Sequence, residues 1–167
     1  MSLPSIQLLV SALVAPTSMC RLSTPEWDLL IRQARNSDLL ARIAVGCQTG
    51  GFGEQIPSQP KMHLESAVTL VARQERELRW EVAQIGVALA ATCVPVVLLK
   101  GSAYVMAGLA AAQGRMMSDI DILVPRDRLA AVESALMMKG WVSTAQSAYD
   151  QRYYRTWMHE LPPMRHF

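Results

Sequence analysis

Two aspartates placed one residue apart inside an apolar run constrain this chain more than any other feature. They lie in GRMMSDIDILVP, residues 114–125, whose β-branched residues and final proline predict a strand. Side chains alternate between the faces of a strand, so Asp119 and Asp121 share one face, with Cα atoms about 6.5 Å apart. Ile120 and Ile122 are then expected to face the core.

Two carboxylates this close repel each other unless a cation lies between them. The alternative is a solvated edge strand with two exposed acids, but the apolar residues beside each aspartate weaken that interpretation. The pattern therefore favours a divalent cation, Mg²⁺ or Mn²⁺, bound by Asp119 and Asp121.

A second motif lies upstream, where an apolar run is followed by Lys100, Gly101 and Ser102 and then by a helical pattern. Glycine permits close backbone approach, a helix start offers free N–H groups, and the serine adds a hydroxyl. This arrangement can hold phosphate, although it lacks the P-loop spacing. The alternative is an ordinary strand-to-helix turn with a capping serine.

Helical periodicity and helix-start residues organise the N-terminal part of the chain. Thr24 is a candidate cap and Pro25 suits the first helical position. Residues 46–60 are rich in Gly, Pro and Gln and predict a loop or hinge, and residues 61–92 form one long helical pattern. We therefore predict an N-terminal helical region with a hinge over residues 1–60 and a core over residues 61–167.

The core alternates between helical and strand patterns. VPVVLL, residues 94–99, predicts a buried strand, and SAYVMAGLAAA predicts a helix. Residues 125–140 form an amphipathic helix with Leu129, Val132, Leu136 and Met137 inward, and Trp141 begins another strand. The order helix, strand, helix, strand, helix, strand predicts an α/β or α+β fold.

Composition bounds the function classes. Hydrophobic residues make up 51% of the 167 residues, enough for a substantial core, and the net charge of +2 gives no argument for nucleic acid or an anionic membrane. The three scattered cysteines suit a reduced, cytoplasmic protein. The uncharged stretch 82–99 is interpreted as a helix end followed by a strand, not as a membrane span.

VVLLKGSAYVMAGLAAAQGRMMSDIDILVPRDRLAAVESALMMKGW resembles the DNA polymerase β-like nucleotidyltransferase superfamily. More narrowly, it is similar to the uncharacterised bacterial nucleotidyltransferase family with an LKG…R…DIDLLV core. The resemblance implies a mixed β-sheet with flanking helices and transfer of a nucleoside monophosphate from an NTP to an unknown acceptor, a small molecule or a protein. It also implies that Gly101 and Ser102 hold the nucleotide phosphates, that Asp119 and Asp121 are the catalytic Mg²⁺ ligands, and that Arg115 and Lys100 contact phosphate.

The superfamily also has a third carboxylate on a following strand, which this sequence does not identify. Four acids follow Asp121 in unsuitable contexts: Asp127, Glu133, Asp150 and Glu160. The resemblance places the acid just beyond Phe167, so the core is interpreted as truncated at its C-terminal end. Three hypotheses stay open: a nucleotidyltransferase; a catalytically degenerate protein of this fold that works as a nucleotide-binding or antitoxin-like interaction module; or a structural helical protein in which the Asp-Ile-Asp motif is incidental.

The C-terminal segment adds an aromatic stripe. Tyr149, Tyr153 and Trp157 recur every four residues beside Arg152 and Arg155. Such a stripe can stack on nucleobases, but packing onto the core, onto a missing segment or onto a second copy of the chain is more common. Nucleic acid is therefore not an expected partner, whereas homo-oligomerisation stays open.

Overall fold

The computed structural model describes residues 5–144 and 147–167 of the chain. These residues form two compact units. The first unit comprises the residues up to Leu78 together with Gly101–Asp119, and the second comprises Arg79–Lys100 together with Ile120–Phe167. No helix within residues 5–144 and 147–167 is long and apolar enough to cross a membrane.

The first unit is helical. Its helices are α1 Ser5–Val14, α2 Thr24–Asn36, α3 Leu40–Thr49, α4 Ser58–Leu89 and α5 Lys100–Met106. The unit boundary divides two of them, because only the part of α4 up to Leu78 and the part of α5 from Gly101 onward belong to this unit. Apolar side chains of α1 to α4 form its core, among them Leu8, Trp27, Leu30, Ile43 and Leu64. Helical spacing of these residues explains why each helix buries one face.

Helix α2 begins with a capping box. The N–H and hydroxyl of Ser23 both donate to Glu26 Oε2, at 2.8 and 2.6 Å. These hydrogen bonds hold the pKa of the Glu26 carboxyl below its ordinary value. The predicted cap, Thr24, is wrong by one residue, because Ser23 is the cap and Thr24 is already helical.

The second unit contains the end of α4 and all described strands. Its further elements are β1 Val97–Leu98, β2 Ile122–Leu123, α6 Leu129–Met138, β3 Trp141–Ser143, α7 Ala148–Tyr153 and β4 Met164–His166. Strand β1 pairs antiparallel with β2, and β3 pairs antiparallel with β4. The core is built from Ile85, Ala88, Leu89, Val132, Leu136 and Trp141.

The α+β class and the predicted order of elements are confirmed, with three corrections. The described strands form two antiparallel pairs instead of one mixed sheet. The strand in residues 94–99 is not buried, since Val97 and its register partner Leu123 are 54% and 57% exposed. Met137, expected to face inward, is also exposed.

The predicted hinge is shorter than residues 46–60. Helix α3 extends to Thr49 and α4 already begins at Ser58, with a 3-10 turn at Gly53–Gln55 between them. Four glycines lie in this segment, yet Gly46 does not prevent helix formation at its start, because α3 buries Cys47 in the core. The boundary at residue 60 stays a prediction.

Candidate functional site

Asp121 lies at the point where the β1–β2 pair ends. Strand β2 begins only at Ile122, so both aspartates precede the strand in which the sequence predicted them. The Leu99 N–H nevertheless donates to the Asp121 carbonyl at 2.9 Å and continues the antiparallel pairing by one position. Ile120 and Ile122 pack against the core of the second unit, as predicted, whereas the Asp121 side chain is 33% exposed.

Lys100 contacts Asp121 directly. Its Nζ lies 3.1 Å from Asp121 Oδ2, and both residues belong to the second unit. The backbone of Lys100 has a φ of +49°, a left-handed conformation that non-glycine residues rarely adopt. The structure therefore brings together two of the residues that the sequence singled out, as an ion pair at the predicted cation site.

Gly101 and Ser102 begin the part of α5 that belongs to the first unit. A Cβ at Gly101 would overlap the Met117 sulfur, so the absence of a side chain here lets the methionine pack against the backbone. Ser102 is fully buried. Helix α5 ends at Met106, earlier than the alanine-rich run predicted.

Arg115 and Asp119 lie in a segment without regular secondary structure that follows α5. The Arg115 guanidinium carbon is 5.9 Å from the centroid of the Tyr104 ring, a cation–π distance, and the side chain is exposed. Asp119 is also exposed, and its Oδ1 accepts a hydrogen bond of 3.0 Å from the Ser118 hydroxyl. Both charged groups are therefore accessible from solvent.

The segment that leads to Asp119 is held by residues that the sequence did not single out. Arg42 Nη1 donates to the carbonyl of Gln113 at 2.8 Å and, at longer distances, to those of Ala110 and Ala111. Gln74 Oε1 accepts from the Met117 N–H at 3.3 Å. These contacts join residues far apart in the sequence, so no local pattern could have predicted them.

The four candidate third carboxylates have other environments. The Glu133 carboxylate receives two hydrogen bonds from Arg155, at 2.5 and 2.8 Å, and this contact raises the pKa of Arg155. Asp150 exchanges hydrogen bonds with Ser147 at the start of α7. Asp127 and Glu160 are exposed. Within residues 5–144 and 147–167, no group of three His, Cys, Asp or Glu side chains could hold a metal ion.

The aromatic stripe does not pack onto the core. Tyr149 and Trp157 are 76% and 74% exposed, and Tyr153 stacks on Tyr149 with ring centroids 6.4 Å apart. The stripe begins in α7 and continues into a π-helical turn, Tyr154–Met158. Of the alternatives that the sequence left open, packing onto the core of the same chain is wrong.

A model of the family described as an uncharacterised nucleotidyltransferase matches residues 23–164, which include all the site residues above. Neither the curated proteins nor the solved structures contain a significant match to this chain. The match extends from the capping box of α2 to the first residue of β4. The chain therefore belongs to the family of uncharacterised nucleotidyltransferases.

Proposed function

We propose that the chain is a Mg²⁺-dependent nucleotidyltransferase that moves a nucleoside monophosphate from an NTP to a small-molecule or protein acceptor. Family membership supports the general reaction class. The observation that carries the finer proposal is the environment of Asp121, whose carboxylate lies outside the core and has the Lys100 ammonium 3.1 Å away. The Asp121 side chain is partly exposed, so a divalent cation can reach its carboxylate when the Lys100 ammonium moves away.

The donor set fits a hard divalent cation. Carboxylate oxygens are the ligands that Mg²⁺ and Mn²⁺ prefer. The contact with the Lys100 ammonium shows that the Asp121 carboxylate attracts a positive charge at this position. In the proposal, Asp119 and Asp121 hold the cation, which supplies charge neutralisation to the triphosphate. The Ser118 hydroxyl, which donates to Asp119 Oδ1, orients the first of these carboxylates.

The nucleotide phosphates are assigned to the turn at Gly101 and Ser102. Because the Ser102 side chain is buried and Met117 packs against Gly101, phosphate can reach the backbone N–H groups only if the Met117 side chain moves. Methionine has flexible torsions, so this movement is cheap. Arg115 is accessible and has a planar guanidinium suited to phosphate.

The proposed reaction is an in-line displacement. An acceptor oxygen forms a bond to the α-phosphorus, the bond from that phosphorus to the α,β-bridging oxygen breaks, and pyrophosphate leaves with the electron pair. The acceptor hydroxyl loses its proton to a general base. The chain contributes positioning and charge stabilisation, which dominate this type of chemistry.

The test is transfer of label from NTPs carrying ³²P in either the α or the γ position, incubated with Mg²⁺ and fractionated metabolites or proteins as acceptors. The proposal predicts stable labelling from the α position only, and no labelling by the Asp119→Asn/Asp121→Asn variant. Labelling from the γ position would show phosphoryl transfer instead. Equal α-labelling by the double variant would refute the assigned roles of both aspartates.

A second candidate function is a catalytically degenerate member that binds nucleotide or a partner protein. The observation that favours it is that Glu133 and Asp150, two candidates for the third carboxylate, are already engaged by Arg155 and Ser147. This alternative predicts nucleotide binding that depends on Asp119 and Asp121 with no transfer of label from either position.

A further inference from the structure

The Lys100–Asp121 ion pair joins two residues that the proposed function assigns to different ligands. Asp121 is a proposed cation ligand, whereas Lys100 is a proposed phosphate contact. In the structure the two groups contact each other, with Nζ 3.1 Å from Oδ2. A carboxylate oxygen in contact with an ammonium is less available to a metal ion, because the two cations repel each other at the same oxygen.

The backbone holds this arrangement at some cost. Lys100 has a φ of +49°, although the next residue is a glycine that could adopt such a conformation without penalty. A non-glycine residue in this region persists only where the surrounding structure fixes it. The hydrogen bond from the Leu99 N–H to the Asp121 carbonyl fixes the backbone next to Lys100. Asp121 is also the residue that the Lys100 side chain contacts.

We propose that Lys100 is the resting counter-ion of Asp121 and that its ammonium competes with the divalent cation for Oδ2. When the cation binds, the ammonium leaves Asp121 and contacts a phosphate oxygen of the nucleotide. Cation binding alone is therefore weakened by Lys100, whereas binding of the cation together with a nucleotide is strengthened by it. The inference rests on the proposed function, since it requires the cation at Asp121.

This role makes two affinities change in opposite directions in Lys100→Gln. Mn²⁺ binding without nucleotide, measured by electron paramagnetic resonance of the free ion, becomes about two- to fivefold tighter, the range expected for loss of a largely exposed ion pair. The affinity for ATP in the presence of Mg²⁺, measured by calorimetry, falls. A residue with a merely structural role would weaken both.

Matched controls separate the charge from its position. Lys61 forms an ion pair with Glu54 at 2.8 Å in the first unit, so Lys61→Gln removes the same charge from a similar pair and leaves both affinities unchanged. Lys100→Arg keeps the positive charge and therefore does not show the tighter Mn²⁺ binding expected of Lys100→Gln. Circular dichroism of each variant verifies that it is folded.

Two results overturn the inference, and they are distinguishable. If the wild type binds Mn²⁺ in a manner that requires Asp121 and Lys100→Gln binds it no more tightly, the competition fails and the proposed function stands. If neither wild type nor Lys100→Gln binds Mn²⁺ through Asp121, the proposed function fails and this inference fails with it.

Discussion

Gly114 is the position where a single methyl group should most disturb the segment that carries Asp119. Its φ of +66° is unfavourable for alanine, and a Cβ would lie 2.7 Å from Arg42 Cα and 2.8 Å from the Ala41 carbonyl oxygen. These neighbours are backbone atoms of α3 and cannot rotate away. Gly114→Ala therefore has to shift either the helix or the segment after α5.

The cost has two separable parts. A left-handed conformation costs an L-residue roughly 1–2 kcal/mol, and overpacking against fixed atoms costs roughly 1–3 kcal/mol more. Gly108 provides the control, because its φ of +65° is nearly the same while nothing lies within 4 Å of its added Cβ. Gly108→Ala should show only the cost of the left-handed conformation. The difference in stability between the two variants therefore gives the cost of the contact with α3.

Hydrogen exchange measured by mass spectrometry can read this difference in peptides from α3. A difference of about 1–3 kcal/mol corresponds to roughly 5- to 150-fold faster exchange in Gly114→Ala than in Gly108→Ala. Equal exchange in the two variants would show that α3 and the segment after α5 do not approach closely enough for a methyl group at position 114 to clash.

Three further predictions concern other parts of the chain. Burial raises the pKa of the Cys47 thiol from 9.0 to about 11, so the contribution of the buried thiol to stability is full below pH 9.0 and is lost as the pH rises towards 11. Thiol labelling at neutral pH, followed by peptide mass spectrometry, should modify exposed Cys93 quickly and buried Cys47 only on unfolding. Met117→Ala should tighten Mg²⁺-dependent ATP binding in calorimetry, because the side chain no longer has to leave Gly101, and weaker binding would contradict the role given to Met117. Glu133→Gln should lower the free energy of urea unfolding by about 1 kcal/mol through loss of its pair with Arg155 and leave Mn²⁺ affinity unchanged, whereas lost Mn²⁺ binding would identify Glu133 as a metal ligand.

The features of the fold that depend on local periodicity could be predicted from the sequence. The apolar spacing of α2 and α6 and the alternation of Ile120 and Ile122 are local patterns, and the structure confirms that both isoleucines pack on a core. The exposure of Val97 could not be predicted, because β-branching favours a strand without stating what covers it.

Long-range contacts limited the prediction of the site. The Lys100–Asp121 pair connects two motifs that were recognised separately, and it follows from the antiparallel pairing of β1 with β2. The role of Arg42 depends on the packing of α3 against a segment about 70 residues further along the chain, which no pattern in either segment indicates. The Lys100–Asp121 pair and the contacts of Arg42 therefore depend on packing between distant segments, which the periodicity of the sequence does not determine.

In the proposed function, Asp119 and Asp121 bind a nucleotide through a divalent cation. The most direct measurement is calorimetric titration of each NTP, with and without Mg²⁺, into the wild type and into Asp119→Asn/Asp121→Asn. We expect Mg²⁺-dependent binding to the wild type and its loss in the double variant, with unchanged circular dichroism. Binding of equal strength to both proteins, or no binding to the wild type, would show that Asp119 and Asp121 do not bind nucleotide through a cation.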